Sequence, residues 1–142
     1  MPRMPDVPHG SAADSETVLL VDDDEAVRQY VGYILRRYGY RVLEASGGTE
    51  ALHLCAQHEG PIHLLLTDIQ MLDMTGPELA PRALALRPHL PVLYMSAQFS
   101  EDVLSQLEGQ PLQPFIQKPF SPEALAQKMR DLLGPSTQGP PA

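Results

Sequence analysis

Short, unbroken apolar runs alternate along this chain with longer segments whose apolar residues recur at helical spacing, and that alternation leaves few folds open. Val18-Leu19-Leu20-Val21 is apolar at every position, as a strand covered on both faces must be. From Glu25 onward, Val27, Tyr30, Val31, Ile34, Leu35 and Tyr38 form a stripe of period 3.6 that Gly39 ends, which predicts a helix, with Tyr30, Tyr33 and Tyr38 as packing residues. Tyr40-Arg41-Val42-Leu43-Glu44-Ala45 carries charges inside its run, so it is predicted at a sheet edge. Ser46-Gly47-Gly48 leads into a second helix through Ala51, Leu52, Cys55 and Ala56, with Cys55 as a core residue. Gly60-Pro61 breaks that helix before a central strand at Ile62-His63-Leu64-Leu65-Leu66-Thr67. Thr75-Gly76-Pro77-Glu78 fits a capping box, and Leu79, Ala83 and Leu86 continue the apolar face of a third helix, in which Pro81 is an awkward fit. A strand at Val92-Leu93-Tyr94-Met95, a weaker helical segment over 100–108, a short strand at Phe115-Ile116-Gln117 and a helix opened by Ser121-Pro122 complete the pattern. Five βα units in succession predict an α/β domain with a parallel sheet over 17–133. Residues 1–16 and 134–142, rich in Pro, Ser and Gly or Ala, are expected to be disordered tails.

Composition removes several function classes. A formal net charge of −8 with 10 Lys and Arg leaves no basic stripe for a nucleic-acid backbone, so direct nucleic-acid binding is not expected. The single cysteine rules out an internal disulfide framework, and the five histidines lack metal-ligand spacing. The apolar runs are far too short to cross a membrane and no signal-peptide core follows Met1, so a cytoplasmic protein without membrane insertion is expected. No phosphate-binding glycine loop of the GxxxxGK[ST] or GxGxxG type is present.

The chemistry gathers at strand ends. Asp22-Asp23 follow the first strand, Asp68 the third, Ser96 the fourth and Lys118 the fifth, and open α/β sheets bind ligands at the carboxyl ends of their strands. Asp24 is the expected N-cap of the first helix. Each of these residues alone is ordinary at a helix start or a strand-end turn. If strands one and three are neighbours, their carboxylates lie about 5 Å apart and repel each other by roughly 3 kcal/mol per pair at an effective dielectric near 20, so a positive group is needed among them. Mg²⁺ takes one or two carboxylates and completes its octahedron with water and phosphate oxygens. A carboxylate beside it is a competent nucleophile toward phosphorus, with Lys118 and the Ser96 hydroxyl placed to stabilise phosphoryl oxygens.

Four segments, Val18-Leu19-Leu20-Val21-Asp22-Asp23-Asp24, Leu65-Leu66-Thr67-Asp68-Ile69-Gln70-Met71, Met95-Ser96-Ala97 and Gln117-Lys118-Pro119-Phe120, resemble in order the signature segments of response-regulator receiver domains. The resemblance implies a flavodoxin-like doubly wound (βα)5 sandwich with strand order 2-1-3-4-5, which makes strands one and three neighbours. It implies Asp68 as phosphoacceptor, and Mg²⁺ held by Asp22, Asp23, Asp68 and the Gln70 carbonyl. Ser96 is implied as the switch hydroxyl, Lys118 as the lysine that meets the phosphoryl group, and Lys118-Pro119 as a cis peptide. Ala97 matches the small residue that admits the donor, and Phe115 the aromatic whose ring moves with the switch. The implied partners are a histidine kinase or histidine phosphotransfer protein, and a downstream protein bound at the face of segment 100–108 and the fifth strand.

This chain departs from the family pattern at three points. Leu72 stands where the family usually has proline, which is expected to loosen the loop after Asp68 without removing a ligand. Phe115 lacks the hydroxyl of the more usual tyrosine. No output domain follows the last helix, so output through another protein is expected. Two other functions compete with a phosphorylation switch: an interaction module that no longer takes phosphate, and an aspartyl-nucleophile phosphatase. The phosphatases usually carry a second Asp where this chain has Gln70.

Overall fold

The computed structural model describes residues 16–96 and 114–133. Five strands, β1 (Thr17–Val21), β2 (Arg41–Ala45), β3 (Leu64–Asp68), β4 (Val92–Ser96) and β5 (Phe115–Gln117), form one parallel sheet in the order β2-β1-β3-β4-β5. Four helices are described: α1 (Glu25–Arg37), α2 (Gly48–Gln57), α3 (Gly76–Leu86) and α4 (Pro122–Leu133). The expected segment 100–108 and the expected tails at 1–15 and 134–142 lie outside the described residues.

The side-chain alternation of a strand explains how apolar runs serve both faces. Leu19 and Val21 of β1 and Leu65 of β3 pack with Ala51 and Cys55 of α2 and Leu79 and Ala83 of α3. Val18 and Leu20 of β1 and Leu64 and Leu66 of β3 pack on the opposite face with Val31, Ile34 and Leu35 of α1 and Leu125 and Met129 of α4. Each such side chain removed from water contributes roughly 1.5–3 kcal/mol, which is why the central strands are mostly apolar. β2 lies at the edge, as its charges require, with Arg41 exposed and Leu43 only half-buried.

Helix boundaries follow local chemistry. Asp24 is the N-cap of α1, its Oδ1 accepting from the N–H groups of Ala26 (3.0 Å) and Val27 (3.2 Å). Thr75 and Glu78 form the reciprocal capping box that opens α3. Ser121 caps α4 by accepting from the Ala124 N–H at 3.0 Å. α3 runs unbroken through Pro81, which sits on the exposed side of the helix.

Two sequence expectations need correction. Tyr30 and Tyr33 are not packing residues: they are 48% and 59% exposed, because the stripe that reaches the sheet is Val31, Ile34 and Leu35, and Tyr33 instead lies under the Arg37 guanidinium at 5.7 Å. β3 begins at Leu64, two residues into its apolar run. His63 accounts for the delay, since its Nδ1 accepts the Thr17 N–H at 2.8 Å and its own N–H donates to the Thr17 carbonyl at 2.8 Å.

Candidate functional site

Register decides which strand ends meet. Val21 of β1 pairs with Thr67 of β3, and Asp68 pairs with Met95 of β4, so Asp22 and Asp68 emerge side by side and Ser96 one strand further. Ser96 pairs with Gln117, which delivers Lys118 to the same rim, and the Lys118 N–H donates to the Ser96 carbonyl at 2.7 Å. The Lys118–Pro119 peptide is cis, as the resemblance implies. Asp22, Asp23 and Asp68 each offer an oxygen within 4.8 Å of the others.

The backbone beneath Asp22 is tied from several directions. Its N–H donates to the Ala45 carbonyl of β2 at 3.1 Å, and its own carbonyl accepts from Arg28 Nη1 at 2.7 Å. Arg28 also meets Glu44 at 3.3 Å, so a residue of α1 braces the acidic turn against β2. The Asp22 side chain is fully buried; its Oδ1 accepts the Asp24 N–H at 2.9 Å and its Oδ2 accepts from Lys118 Nζ at 3.1 Å.

Lys118 Nζ lies between two acids, 3.1 Å from Asp22 Oδ2 and 3.5 Å from Asp68 Oδ1. One ammonium therefore contacts two members of a three-carboxylate cluster. Burial pushes the Asp68 carboxyl up to about 6; the Lys118 charge pulls against this and the Asp22 charge adds to it. Asp68 Oδ1 also accepts the Ile69 N–H at 3.0 Å, and among the described residues no hydrogen bond is made to its other oxygen. An all-oxygen donor set with surplus negative charge fits a hard divalent cation such as Mg²⁺. Gln70, whose carbonyl was the fourth expected ligand, lies exposed in the loop two residues after Asp68.

That loop is tied to the site by hydrogen bonds. Leu72, expected to loosen it, supplies an N–H that a proline would lack, and this donates to Asp23 Oδ2 at 2.9 Å. Next to it, the Asp73 carboxylate accepts from the N–H groups of Gly48 (3.0 Å) and Thr49 (2.9 Å), capping α2, whose own N-cap, Gly47, has no side chain to do so. The Thr49 N–H is the main reason the Asp73 carboxyl is held below its ordinary range. At the far end of the loop, Gly76 has no room for a side chain. A Cβ there would stand 2.6 Å from the Asp68 carbonyl oxygen and 3.1 Å from the Tyr94 ring.

Asp22, Asp23, Asp68 and Lys118 meet at this rim and Ser96 ends the neighbouring strand, whereas Phe115 does not reach it. It pairs with Tyr94 of β4 and packs beside it on the α2–α3 face of the sheet. Ala97 and the 100–108 half of the expected partner face lie outside the described residues. Sequence reasoning missed the Leu72 N–H, the Asp73 cap and the Arg28 brace. Leu72 and Asp73 are two residues of one loop that look like plain surface positions, and nothing in the pattern of side chains marks a main-chain donor.

The family described as response regulator receiver domain matches residues 18–130. The sensor kinase CckA of Brucella abortus is 32% identical over 119 residues, which are 84% of this chain and 13% of that kinase. A chemotaxis protein CheY homologue of Campylobacter jejuni is 32% identical over 121 residues, 82% of this chain and 92% of that protein. Among solved structures, the receiver domain of the hybrid histidine kinase CckA is 32% identical with a TM-score of 0.69, covering 82% of this chain and 98% of that one. Vibrio cholerae chemotaxis protein CheY4 is 27% identical with a TM-score of 0.75, covering 84% and 99%.

Proposed function

Because this chain belongs to the response regulator receiver domain family of two-component signalling, whose members are switches and not metabolic enzymes, we propose that it is a phosphorylation-dependent switch in which Asp68 takes a phosphoryl group from a phosphohistidine. The observation that carries the reading is the placement of one lysine and three carboxylates: Lys118 Nζ bridges Asp22 and Asp68, with Asp23 completing the cluster.

The transfer forms a bond between phosphorus and an Asp68 carboxylate oxygen and breaks the P–N bond of the donor, whose imidazole leaves with the electron pair and takes up a proton. Asp68 reacts as the carboxylate. A carboxyl raised to about 6 is still mostly ionised near pH 7, and it is a stronger base than an ordinary aspartate. The oxygen not engaged by the Ile69 N–H is the one available to phosphorus. Asp22, Asp23, Asp68 and the Gln70 carbonyl would hold Mg²⁺, which when bound supplies the positive charge that phosphoryl transfer needs at the equatorial oxygens. Lys118 moves from its position between Asp22 and Asp68 onto a phosphoryl oxygen, and the Ser96 hydroxyl donates to another. The added charge of roughly −1.5 to −2 at the rim then favours an altered arrangement of β4 and β5, with Phe115 as the ring that follows. The partners are a histidine kinase or histidine phosphotransfer protein upstream and a protein bound at the β5 face downstream, in the cytoplasm and without nucleic-acid contact.

The test is exposure to acetyl phosphate with and without Mg²⁺. The expected product carries one phosphoryl group, forms only with the metal, survives acid and is lost in base, as an acyl phosphate must be. Asp23→Asn should need substantially more Mg²⁺ to reach half-labelling. A protein that stays unlabelled at saturating Mg²⁺ and donor would be an interaction module and not a switch.

A further inference from the structure

We infer that the main-chain N–H of Leu72 is a positioning group for the divalent-cation site, fixing the Asp23 carboxylate in the orientation that presents an oxygen to Asp22 and Asp68. The inference rests on the site reading above and names a part of this chain that the reading does not contain.

Asp23 differs from its two neighbours in how it is held. Asp22 is fully buried and tied to Lys118 and the Asp24 N–H, and Asp68 is tied to Lys118 and the Ile69 N–H. Asp23 is only half-buried, and the hydrogen bond described for its carboxylate is the one from Leu72, 49 residues away in sequence, at 2.9 Å. An ionised carboxylate has two oxygens and about four lone-pair sites, so accepting one N–H leaves room for a cation. Carboxylates that bind metals are commonly oriented by such a donor, and removing it typically weakens metal binding about 10–100-fold.

The donor is itself well placed. One residue further on, Asp73 clamps the loop to the N-terminus of α2 through Gly48 and Thr49. Met74 occupies the space beside Gly48 so closely that a Cβ there would clash with Met74 Cγ. On the other side the Gly76 N–H donates to the Ile69 carbonyl at 2.8 Å, closing the loop on itself, and Ile69 is fully buried. The Leu72 side chain takes no part, being 95% exposed. What position 72 gives the site is therefore its N–H, which every residue except proline would provide.

The experiment is calorimetric titration of the full chain with Mg²⁺ alone, comparing wild type, Leu72→Pro, Leu72→Ala and Asp23→Asn, with unfolding measured in chelator for each. Leu72→Pro should bind Mg²⁺ about 10-fold more weakly or worse, while Leu72→Ala, which keeps the N–H, binds as wild type does. A merely structural loop residue would lower the unfolding midpoint without moving Mg²⁺ affinity. Hydrogen exchange in the wild type gives a second readout that needs no variant: the Leu72 amide should become more protected when Mg²⁺ locks the carboxylate it donates to. The inference is overturned if Leu72→Pro changes affinity by less than about threefold, if Leu72→Ala weakens binding as much as Leu72→Pro, or if Mg²⁺ lowers protection of the Leu72 amide. Failure of the site itself would look different, with no Mg²⁺ binding in wild type or none lost in Asp23→Asn, and either result would overturn both readings.

Discussion

Replacing Asp68 by Asn should make the metal-free protein more stable at neutral pH, because the acid is held there against its own preference. Burial raises its carboxyl from 3.8 to about 6, a displacement of about two pH units, or about 3 kcal/mol at 1.36 kcal/mol per unit. Part of the carboxylate reaches solvent, which screens the penalty, so an increase of about 1–2 kcal/mol is expected. The sign follows from proton binding. Between pH 3.8 and 6 the native state holds more protons at Asp68 than the unfolded chain does, so the contribution of Asp68 to stability is full below pH 3.8 and lost as pH rises through 6. Asn removes the charge and keeps an oxygen for the Ile69 N–H, while Lys118 retains Asp22 at 3.1 Å. Urea unfolding of both proteins in chelator, at pH 7.5 and again near pH 4, reads the difference. The Asn variant should be ahead at pH 7.5 and lose that lead near pH 4. An Asn variant that is equal or weaker at pH 7.5, or a gap that does not change with pH, would refute the reasoning.

Gly76→Ala should cost about 1–3 kcal/mol and reduce phosphorylation by acetyl phosphate, since its Cβ would push on the Asp68 carbonyl 2.6 Å away; normal stability and labelling would show that the loop yields freely. Arg87 donates to the carbonyls of Cys55 (3.0 Å), Gly60 (2.7 Å) and His58 (2.6 Å), closing the C-terminus of α2, so Arg87→Ala should lose about 2–4 kcal/mol in urea unfolding and Arg87→Lys should recover only part of it. Thr75→Ala, which removes the cap of α3, should cost about 1 kcal/mol and leave Mg²⁺ affinity unchanged; a loss of affinity would tie the cap to the site.

The parts of this molecule legible in its sequence are those written in side-chain period and type. β1 and β5 match their apolar runs, α1 starts after Asp24, the Thr75 capping box forms, and the acids and Lys118 converge because parallel strands end on one rim. The strand order was implied only by the resemblance, since local pattern carries no information about which strands are neighbours. Other features were hidden because their cause is tertiary. His63 reads as a strand residue until its ring is seen to take the first N–H of β1. Tyr30 and Tyr33 look like a continuation of the helical stripe, yet the α1 residues packed on the sheet are Val31, Ile34 and Leu35, with Val27 and Tyr38 beside them. Leu72 reads from sequence only as a missing proline, and in the fold it supplies an N–H aimed at Asp23.

The central claim is that Asp68 is the phosphoacceptor, and intact-mass measurement after incubation with acetyl phosphate and Mg²⁺ tests it most directly. Wild type should gain the mass of a single phosphoryl group, and peptide mapping should place it on Asp68, while Asp68→Asn, folded and given saturating Mg²⁺, should gain nothing. The same adduct on Asp68→Asn, or a wild-type label on Asp22 or Asp23, would contradict the account.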